Sequence, residues 1–131
     1  MTRGLLDTSV FIAAESGRPL DADRLPAEGV ISAVTLAELQ TGVLAAPDTA
    51  TRARRLATLD ATADIELLAI DAGVAAEWAR LRVHLAEVGR RINVDDLWIA
   101  ATAAAHNLPV VTQDDDLAPL AGIRGIDVIR V

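Results

Sequence analysis

The sequence predicts an α/β fold with a short parallel central sheet and helices on both faces. Short apolar runs alternate along the chain with stretches of helical periodicity. Strands separated by helices in this way pair in parallel, and helices cover both faces of their sheet. The chain has 131 residues, 52% of them hydrophobic, and shows no internal repeat or linker. A single domain spanning residues 1–131 is therefore expected.

The first elements follow from apolar runs and from residues that break helices. A strand is expected at Leu5-Leu6 and a helix over Val10–Glu15. Glycines and prolines among charged residues indicate a loop over 17–29. The apolar run Val30-Ile31-Ser32 suits a strand, and a helix over Thr35–Ala46 is stopped by the proline that follows it.

The middle of the chain is predicted to be mostly helical. An arginine-rich helix is expected over Thr49–Ala63, and a brief strand or an extended connection over Ile65–Ile70. Asp71 opens the clearest helix, which ends at Gly89. Its apolar residues recur at steps of four and three, the period of one helix face: Val74, Trp78, Leu81, Leu85 and Val88.

The last third repeats the alternation of helix and strand. We expect a helix over Asn93–Asn107, a strand at Val110-Val111-Thr112, a short helix over Asp114–Leu120 and a strand over Ile126–Val131. The only aromatic residues, Phe11, Trp78 and Trp98, are expected to pack in the core.

Missing residue types exclude several classes of function. The chain has no cysteine, which excludes disulfides, thiolate zinc sites, iron–sulfur clusters and cysteine nucleophiles. All twelve basic residues are arginine, which excludes Schiff bases and Walker-type phosphate loops. The net charge of −7 argues against passive binding of nucleic acid, although acids neutralised by a metal ion remain compatible with it. Without a long apolar stretch, a cytoplasmic protein with no membrane partner is expected.

Acidic residues follow the predicted strands or open the helices next to them. They are Asp7, Glu38, Asp95, Asp96, Asp114, Asp115 and Asp116. Five of them have a structural alternative: Asp7 and Asp114 as helix caps, Glu38 in a capping box with Thr35, and Asp95 and Asp96 as first-turn acids. In open parallel sheets, however, the ligand site lies beyond the carboxyl ends of the strands. Carboxylates gathered there repel unless a cation neutralises them, and oxygen ligands suit Mg²⁺ or Mn²⁺.

Four motifs together resemble the PIN-domain ribonucleases, and within them the VapC toxins of VapBC toxin–antitoxin pairs. The motifs are Leu6-Asp7-Thr8-Ser9, Thr35-Leu36-Ala37-Glu38, Asp96-Leu97-Trp98-Ile99-Ala100-Ala101-Thr102-Ala103 and Val111-Thr112-Gln113-Asp114-Asp115-Asp116. The similarity covers essentially the whole chain in order, spacing and length. It implies a PIN-like three-layer α/β/α fold.

The resemblance implies a Mg²⁺-dependent endoribonuclease, with Mn²⁺ as a possible substitute. Catalytic acids fall at Asp7, Glu38, Asp96 and Asp114, metal ligands at Asp7, Asp96, Asp114 and Asp116, and supporting hydroxyls at Ser9 and Thr112. The sequence leaves open whether Asp114 or Asp116 is the fourth ligand. Two positions depart from the family pattern: Asp95 stands where asparagine is usual, and Leu117 where an aromatic residue is common.

Substrate and partner are also implied. Arg82, Arg90 and Arg91 are predicted to hold RNA phosphates, with a solvated helix face as the alternative. The resemblance implies a VapB-like antitoxin, together with a homodimer or a toxin–antitoxin hetero-oligomer. Leucines and valines of the helices over 35–46 and 49–64 are candidates for the antitoxin groove: Leu36, Leu39, Val43, Leu44, Leu56 and Leu59.

Two other functions compete with this hypothesis. One is a PIN-type nuclease outside toxin–antitoxin systems, and the other is a non-catalytic PIN-like binding module. A phospho-receiver domain has similar length and acidity, but it needs a lysine that this chain lacks.

Overall fold

The protein, described over residues 2–131 by a computed structural model, has five α-helices and one five-stranded, all-parallel sheet in that range. The strands are β1 (Arg3–Leu6), β2 (Glu28–Ser32), β3 (Glu66–Leu68), β4 (Val110–Thr112) and β5 (Val128–Arg130). The helices are α1 (Thr8–Glu15), α2 (Ala33–Leu44), α3 (Thr49–Asp60), α4 (Ala72–Glu87) and α5 (Val94–Ala105). The predicted α/β class is confirmed.

The order of the strands places a crevice at the centre of the sheet. The order is β3-β2-β1-β4-β5, so the chain builds outward from β1 on one side and then adds β4 and β5 on the other. Leu6 of β1 is in register with Val111 of β4, and the Asp7 amide donates to the Val111 carbonyl at 2.9 Å. Ligands bind where the strand order reverses, at the carboxyl ends. Here that point lies between β1 and β4.

The core lies on both faces of the sheet. Neighbouring residues of a strand point to opposite faces. In β4, Val110 belongs to the larger apolar cluster with α4 and α5, whereas Val111 packs with Val10 of α1 in a smaller one. The sheet is therefore the middle layer of an α/β/α arrangement. Helix α2 packs against both α3 and α5 and runs from the end of β2.

Most predicted boundaries differ from the structure by a few residues, and two of the differences have identifiable reasons. Helix α2 begins at Ala33 and not at Thr35, because the Ser32 hydroxyl accepts the Thr35 amide at 3.1 Å and caps the helix. The capping box from Thr35 to Glu38 is therefore absent. In place of the helix expected over 114–120, the structure has a 3-10 turn at Ala118–Leu120. The possible strand over 65–70 is present as β3.

The core role of the two tryptophans is confirmed. Trp78 of α4 and Trp98 of α5 stack with their ring centroids 4.9 Å apart and pack against the larger cluster. The Arg82 guanidinium lies 5.7 Å from the Trp78 ring centre, and Phe11 is half-buried on α1. None of the helices within residues 2–131 is both long enough and apolar enough to span a membrane.

Candidate active site

A cleft of about 320 Å³ lies at the carboxyl ends of the central strands. Six of its lining residues are acids that the sequence analysis singled out, and the others are two hydroxyl residues, an isoleucine, an arginine and an asparagine. The lining residues are Asp7, Thr8, Ser9, Ile12, Arg18, Glu38, Asn93, Asp95, Asp96, Asp114 and Asp116. The structure thus brings the predicted acids together from the ends of β1 and β4 and from helices α2 and α5.

Asp7 is the most firmly held of these acids. It is buried, with 4% of its surface exposed, and stands at the N-cap position of α1 without making a capping hydrogen bond. Its Oδ2 instead accepts two hydroxyl protons, from Ser9 at 2.6 Å and from Thr112 at 2.9 Å. Among residues 2–131, nothing donates to Oδ1. The two hydroxyls therefore orient the carboxylate and leave one oxygen available for a ligand.

The same two hydroxyls tie the β4 end to the β1 end. The Gln113 amide donates to Ser9 Oγ at 3.0 Å, and the Asp114 amide donates to Thr112 Oγ1 at 3.0 Å. This second bond closes a local turn. Asp114 does not act as a helix cap, since the 3-10 turn that follows begins only at Ala118. The predicted supporting hydroxyls therefore lie where they can hold both Asp7 and the loop that carries Asp114.

Glu38 enters the cleft from one turn inside α2. Thr8 Oγ1 donates to Glu38 Oε1 at 2.7 Å and lies 3.0 Å from Thr35 Oγ1. Burial raises the pKa of Glu38, the Thr8 hydrogen bond opposes this, and the charges of Asp95 and Asp7 raise it further. Glu38 is thus a half-buried carboxyl that faces other carboxylates and does not cap α2.

Asp96 is the most perturbed acid of the cleft. Asn93 caps α5 by accepting the Asp95 amide at 2.8 Å, which places Asp95 and Asp96 in the first turn. Asp95 is exposed, whereas Asp96 is half-buried. Burial first, and then the charges of Asp7, Asp116, Glu38 and Asp114, raise the pKa of Asp96 to about 7. Asp96 therefore lies in the electrostatic centre of the cleft, and Asp95 at its rim.

The two candidates for the fourth acid differ in burial. Asp114 is half-buried and Asp116 is exposed. Burial and the charges of Asp7 and Asp116 raise the pKa of Asp114, while Arg18 and Arg130 oppose that rise. Both side chains line the cleft.

The cleft has the donor chemistry of a hard-cation site. Its lining has carboxylate and hydroxyl oxygens but neither histidine nor cysteine, a set that suits Mg²⁺ or Mn²⁺ better than zinc. Within residues 2–131, no three acids stand close enough to form a ready coordination group. Spacing of this kind is expected of like charges that repel, and the free Oδ1 of Asp7 is compatible with a metal ligand.

The predicted RNA-binding arginines do not line this cleft. Arg82, Arg90 and Arg91 line a second cleft of about 790 Å³, formed by α4, the loop after it and the start of α5, with an apolar floor that includes Leu85 and Leu97. The arginine that does line the acidic cleft is Arg18, which the sequence analysis did not single out. Gly17-Arg18 after a short helix was its only signal, and that signal indicates a helix end.

The leucines proposed for an antitoxin groove divide by burial. Leu39 is buried, and Leu36, Val43 and Leu59 are half-buried within the α2–α3 pair. Leu44 and Leu56 remain 81% and 43% exposed.

Comparisons with known proteins agree in fold and in sequence. Residues 4–123 match the family model described as PIN domain. The chain is 59% identical to Ribonuclease VapC5 of Mycobacterium tuberculosis over 98% of this chain and 95% of that protein. It is 42% identical to Ribonuclease VapC4 of the same organism, over 96% and 97%. The crystal structure of VapBC-5 from Mycobacterium tuberculosis, a VapBC toxin–antitoxin system, superposes with a TM-score of 0.94 at 54% identity over the full length of both chains.

Proposed function

Because the chain belongs to the PIN-domain family, we propose that its acidic cleft is the active centre of an endoribonuclease that acts as the toxin of a toxin–antitoxin pair. Its similarity to two VapC ribonucleases, each over nearly the whole chain, supports the activity. The observation that carries the assignment of the site is Asp96. A half-buried carboxyl whose pKa is raised to about 7 among four other acids is costly unless the site uses that charge.

PIN-domain ribonucleases of the VapC type depend on a metal ion, and we propose Mg²⁺, with Mn²⁺ able to replace it. Asp7, Asp96, Asp114 and Asp116 would hold the ion. When bound, it supplies a water of lowered pKa and neutralises charge on the scissile phosphate and the leaving oxygen.

The protein side chains supply orientation and proton handling. Ser9 and Thr112 fix Asp7 through its Oδ2, which keeps the rotamer of that carboxylate constant. The raised pKa of Glu38 suits it to accept a proton from the attacking water, whose oxygen forms the new bond to phosphorus as the bond to the leaving oxygen breaks. Thr8 holds Glu38 in place for this step.

The arginine-lined cleft, defined by Arg82, Arg90 and Arg91, is proposed to hold RNA away from the cut. Salt bridges between these arginines and acids are absent among residues 2–131, so their guanidinium groups can bind phosphates. An RNA strand lying across both clefts would be cleaved in the acidic cleft and held by electrostatic attraction in the arginine-lined cleft.

The proposed protein partner is a VapB-like antitoxin. The superposed VapBC-5 structure is a toxin–antitoxin system, and exposed Leu44 and Leu56 on α2 and α3 offer apolar surface for such a partner. We also propose that residues 1–131 act as one domain, that it assembles as a homodimer or as a toxin–antitoxin hetero-oligomer, and that it works in the cytoplasm, where its RNA and antitoxin are made.

The decisive experiment is cleavage of total cellular RNA by the antitoxin-free chain. We expect discrete fragments with Mg²⁺ or Mn²⁺, none with EDTA, and none with Asp96→Asn. Asp95→Asn is the matched control, since it removes an equal charge from the rim, and it should retain most of the activity.

Each contrary result has a distinct meaning. Equal loss in both variants would contradict the assignment of Asp96 over Asp95. Cleavage of DNA in preference to RNA would favour a PIN-type nuclease outside toxin–antitoxin systems. A folded chain that binds RNA but never cuts it would favour a non-catalytic PIN-like binding module.

A further inference from the structure

Arg18 is the single cationic residue among those that line the acidic cleft. Its charge opposes the rise in the pKa of Asp114, so its field reaches the loop that follows β4. Among residues 2–131, however, no carboxylate lies within 4.0 Å of its guanidinium. The side chain is exposed, and its five N–H donors are free to bind a ligand.

The backbone of Arg18 is held from two sides. Helix α1 ends in a Schellman motif: the Gly17 amide donates to Ala14 at 3.3 Å, and the Arg18 amide donates to Ala13 at 2.9 Å. Gly17 has φ +71°, which a residue with a side chain rarely adopts. The next residue, Pro19, accepts a hydrogen bond from Gln113 Nε2 at 3.4 Å.

Gln113 connects Arg18 to the catalytic loop. Its own amide donates to Ser9 Oγ, which holds Asp7. The backbone of the arginine is therefore attached to the same hydrogen-bonded frame as the proposed metal ligands.

The cleft has two unlike flanks on either side of Asp7 and Asp96. Asp95 lies on the same side of the cleft as Glu38, whereas Arg18 lies beside the loop that carries Asp114, since Gln113 donates to its neighbour Pro19. A nucleic acid strand carries a phosphate at every step. Only the Asp114 flank offers a phosphate a bidentate cationic partner.

We propose that Arg18 binds the RNA phosphate next to the scissile one on the Asp114 flank, and thereby fixes the position and polarity of the strand in the cleft. This inference rests on the proposed ribonuclease function. It makes Arg18 a substrate-binding residue that contacts a non-reacting phosphate, so its contribution falls on affinity and register.

The test compares Arg18→Ala, Arg18→Lys and Arg24→Ala with the native chain. Arg24 is an exposed arginine at the end of the 3-10 turn Ala22–Arg24, outside the cleft lining, so it controls for loss of charge in the same loop. We expect Arg18→Ala to raise KM roughly tenfold with little change in kcat, Arg18→Lys to recover part of the loss, and Arg24→Ala to match the native chain.

Binding measurements separate the affinity for RNA from the rate of turnover. In the Asp96→Asn background, fluorescence anisotropy with a single-stranded RNA spanning the cut site should show the same loss for Arg18→Ala. The salt slope of log K should fall by about 0.7, as for one lost contact to a single strand.

A neutral methylphosphonate placed at each linkage in turn identifies the phosphate. RNA binding by the native chain should weaken when the methylphosphonate replaces the phosphate next to the cut. The same methylphosphonate should not weaken binding by Arg18→Ala any further, so the two changes are non-additive.

The outcomes distinguish a failure of the Arg18 assignment from a failure of the proposed ribonuclease function. If the native chain cleaves RNA while Arg18→Ala and Arg24→Ala behave alike, the Arg18 assignment is overturned and the ribonuclease stands. Additive effects at every linkage, or a loss confined to kcat, overturn it as well. If the native chain neither cleaves nor binds RNA, the proposed function fails, and the assignment of Arg18 fails with it.

Discussion

Helices α1 and α4 end in the same local motif, yet the arginine after each end lies in a different chemical setting. Gly17-Arg18 and Gly89-Arg90 both place a glycine at positive φ, +71° and +67°. Each arginine amide then donates to the carbonyl five residues earlier, at 2.9 Å in both cases. Arg18 lines the cleft with six acids, whereas Arg90 lines a cleft with two other arginines. The local sequence thus determines the backbone, and the position in the fold determines the chemistry.

The two clefts also differ in the chemistry of the residues that line them. The arginine-lined cleft is more than twice as large, about 790 Å³ against 320 Å³, but its arginines are exposed and it has no perturbed carboxyl. The acidic cleft contains buried Asp7 and the raised pKa of Asp96. Buried, mutually coupled acids are more informative than volume about where a reaction takes place. We therefore expect substitutions of the acids in the acidic cleft to stop the reaction, and substitutions of the arginines in either cleft to weaken RNA binding.

The largest effect is expected for Asp7→Asn. Asparagine is nearly isosteric, and its carbonyl can still accept the Ser9 and Thr112 hydroxyls. It replaces the free Oδ1 with a donor that cannot bind a cation. RNA cleavage should therefore fall by at least about 10²–10³-fold, while the midpoint of thermal unfolding stays the same or rises because one repelling charge is gone.

Single-turnover cleavage and a thermal melt of the same preparation check this prediction. Asp21→Asn serves as the matched control, since Asp21 is an exposed acid beside the 3-10 turn. Full activity in Asp7→Asn would remove Asp7 from the metal ligands. A large loss of stability would show that the hydroxyl network, and not the charge, is its main role.

The double substitution Arg90→Ala/Arg91→Ala should have a smaller effect of a different kind. Two lost phosphate contacts should weaken RNA binding roughly tenfold or more and lower the salt slope of log K by about 1.4, with kcat retained. The matched control is Arg24→Ala/Arg52→Ala, which removes two exposed arginines that are outside both clefts. If both double variants behave alike, the arginine-lined cleft is a solvated surface and the division between the clefts does not hold.

The sequence is sufficient to predict the elements that depend on local pattern. The apolar runs of β2 and β4 are where periodicity places them. The stripe on α4 is too, except for Val88, which lies at the C-cap and is 51% exposed. The acids were predicted to meet because each follows a strand or opens an adjacent helix, and parallel strands end at the same edge. The cleft lining agrees with that expectation for Asp7, Glu38, Asp96 and Asp114.

The features that were missed depend on competition between partners or on contacts across the fold. Ser32 and Thr35 both suit an N-cap, and only the structure shows that Ser32 takes the Thr35 amide. Thr112 accepts the amide of Asp114 in a local turn, and the next helical turn begins only at Ala118. Arg18 lines the acidic cleft, and the loop after α1 that carries it is tied to Gln113, which is 94 residues away from Pro19. No local pattern contains that information.

The smallest effect concerns pH, and it follows from the acids that the cleft gathers. In the folded chain the pKa of Asp96 is about 7, compared with about 3.9 for an unfolded aspartate. Between these values the folded state binds the proton more tightly, so protonation stabilises the fold. That stability is fully present below the unfolded pKa and is lost as the pH rises through about 7. The raised pKa values of Glu38 and Asp114 act in the same direction.

The metal-free protein should therefore unfold at a temperature a few degrees lower at about pH 8 than at about pH 5. Asp96→Asn should reduce this slope and raise the midpoint most at the higher pH, whereas Asp60→Asn, at the exposed end of α3, should leave the slope unchanged. Saturating Mg²⁺ should restore stability at the higher pH, because the cation binds the deprotonated acids. Thermal melts in EDTA and in Mg²⁺ across this range measure all three effects. An equal slope in native chain and Asp96→Asn would show that the acids of the cleft are too far apart to raise the pKa of Asp96. The smaller cleft would then have no perturbed carboxyl to distinguish it from the larger one.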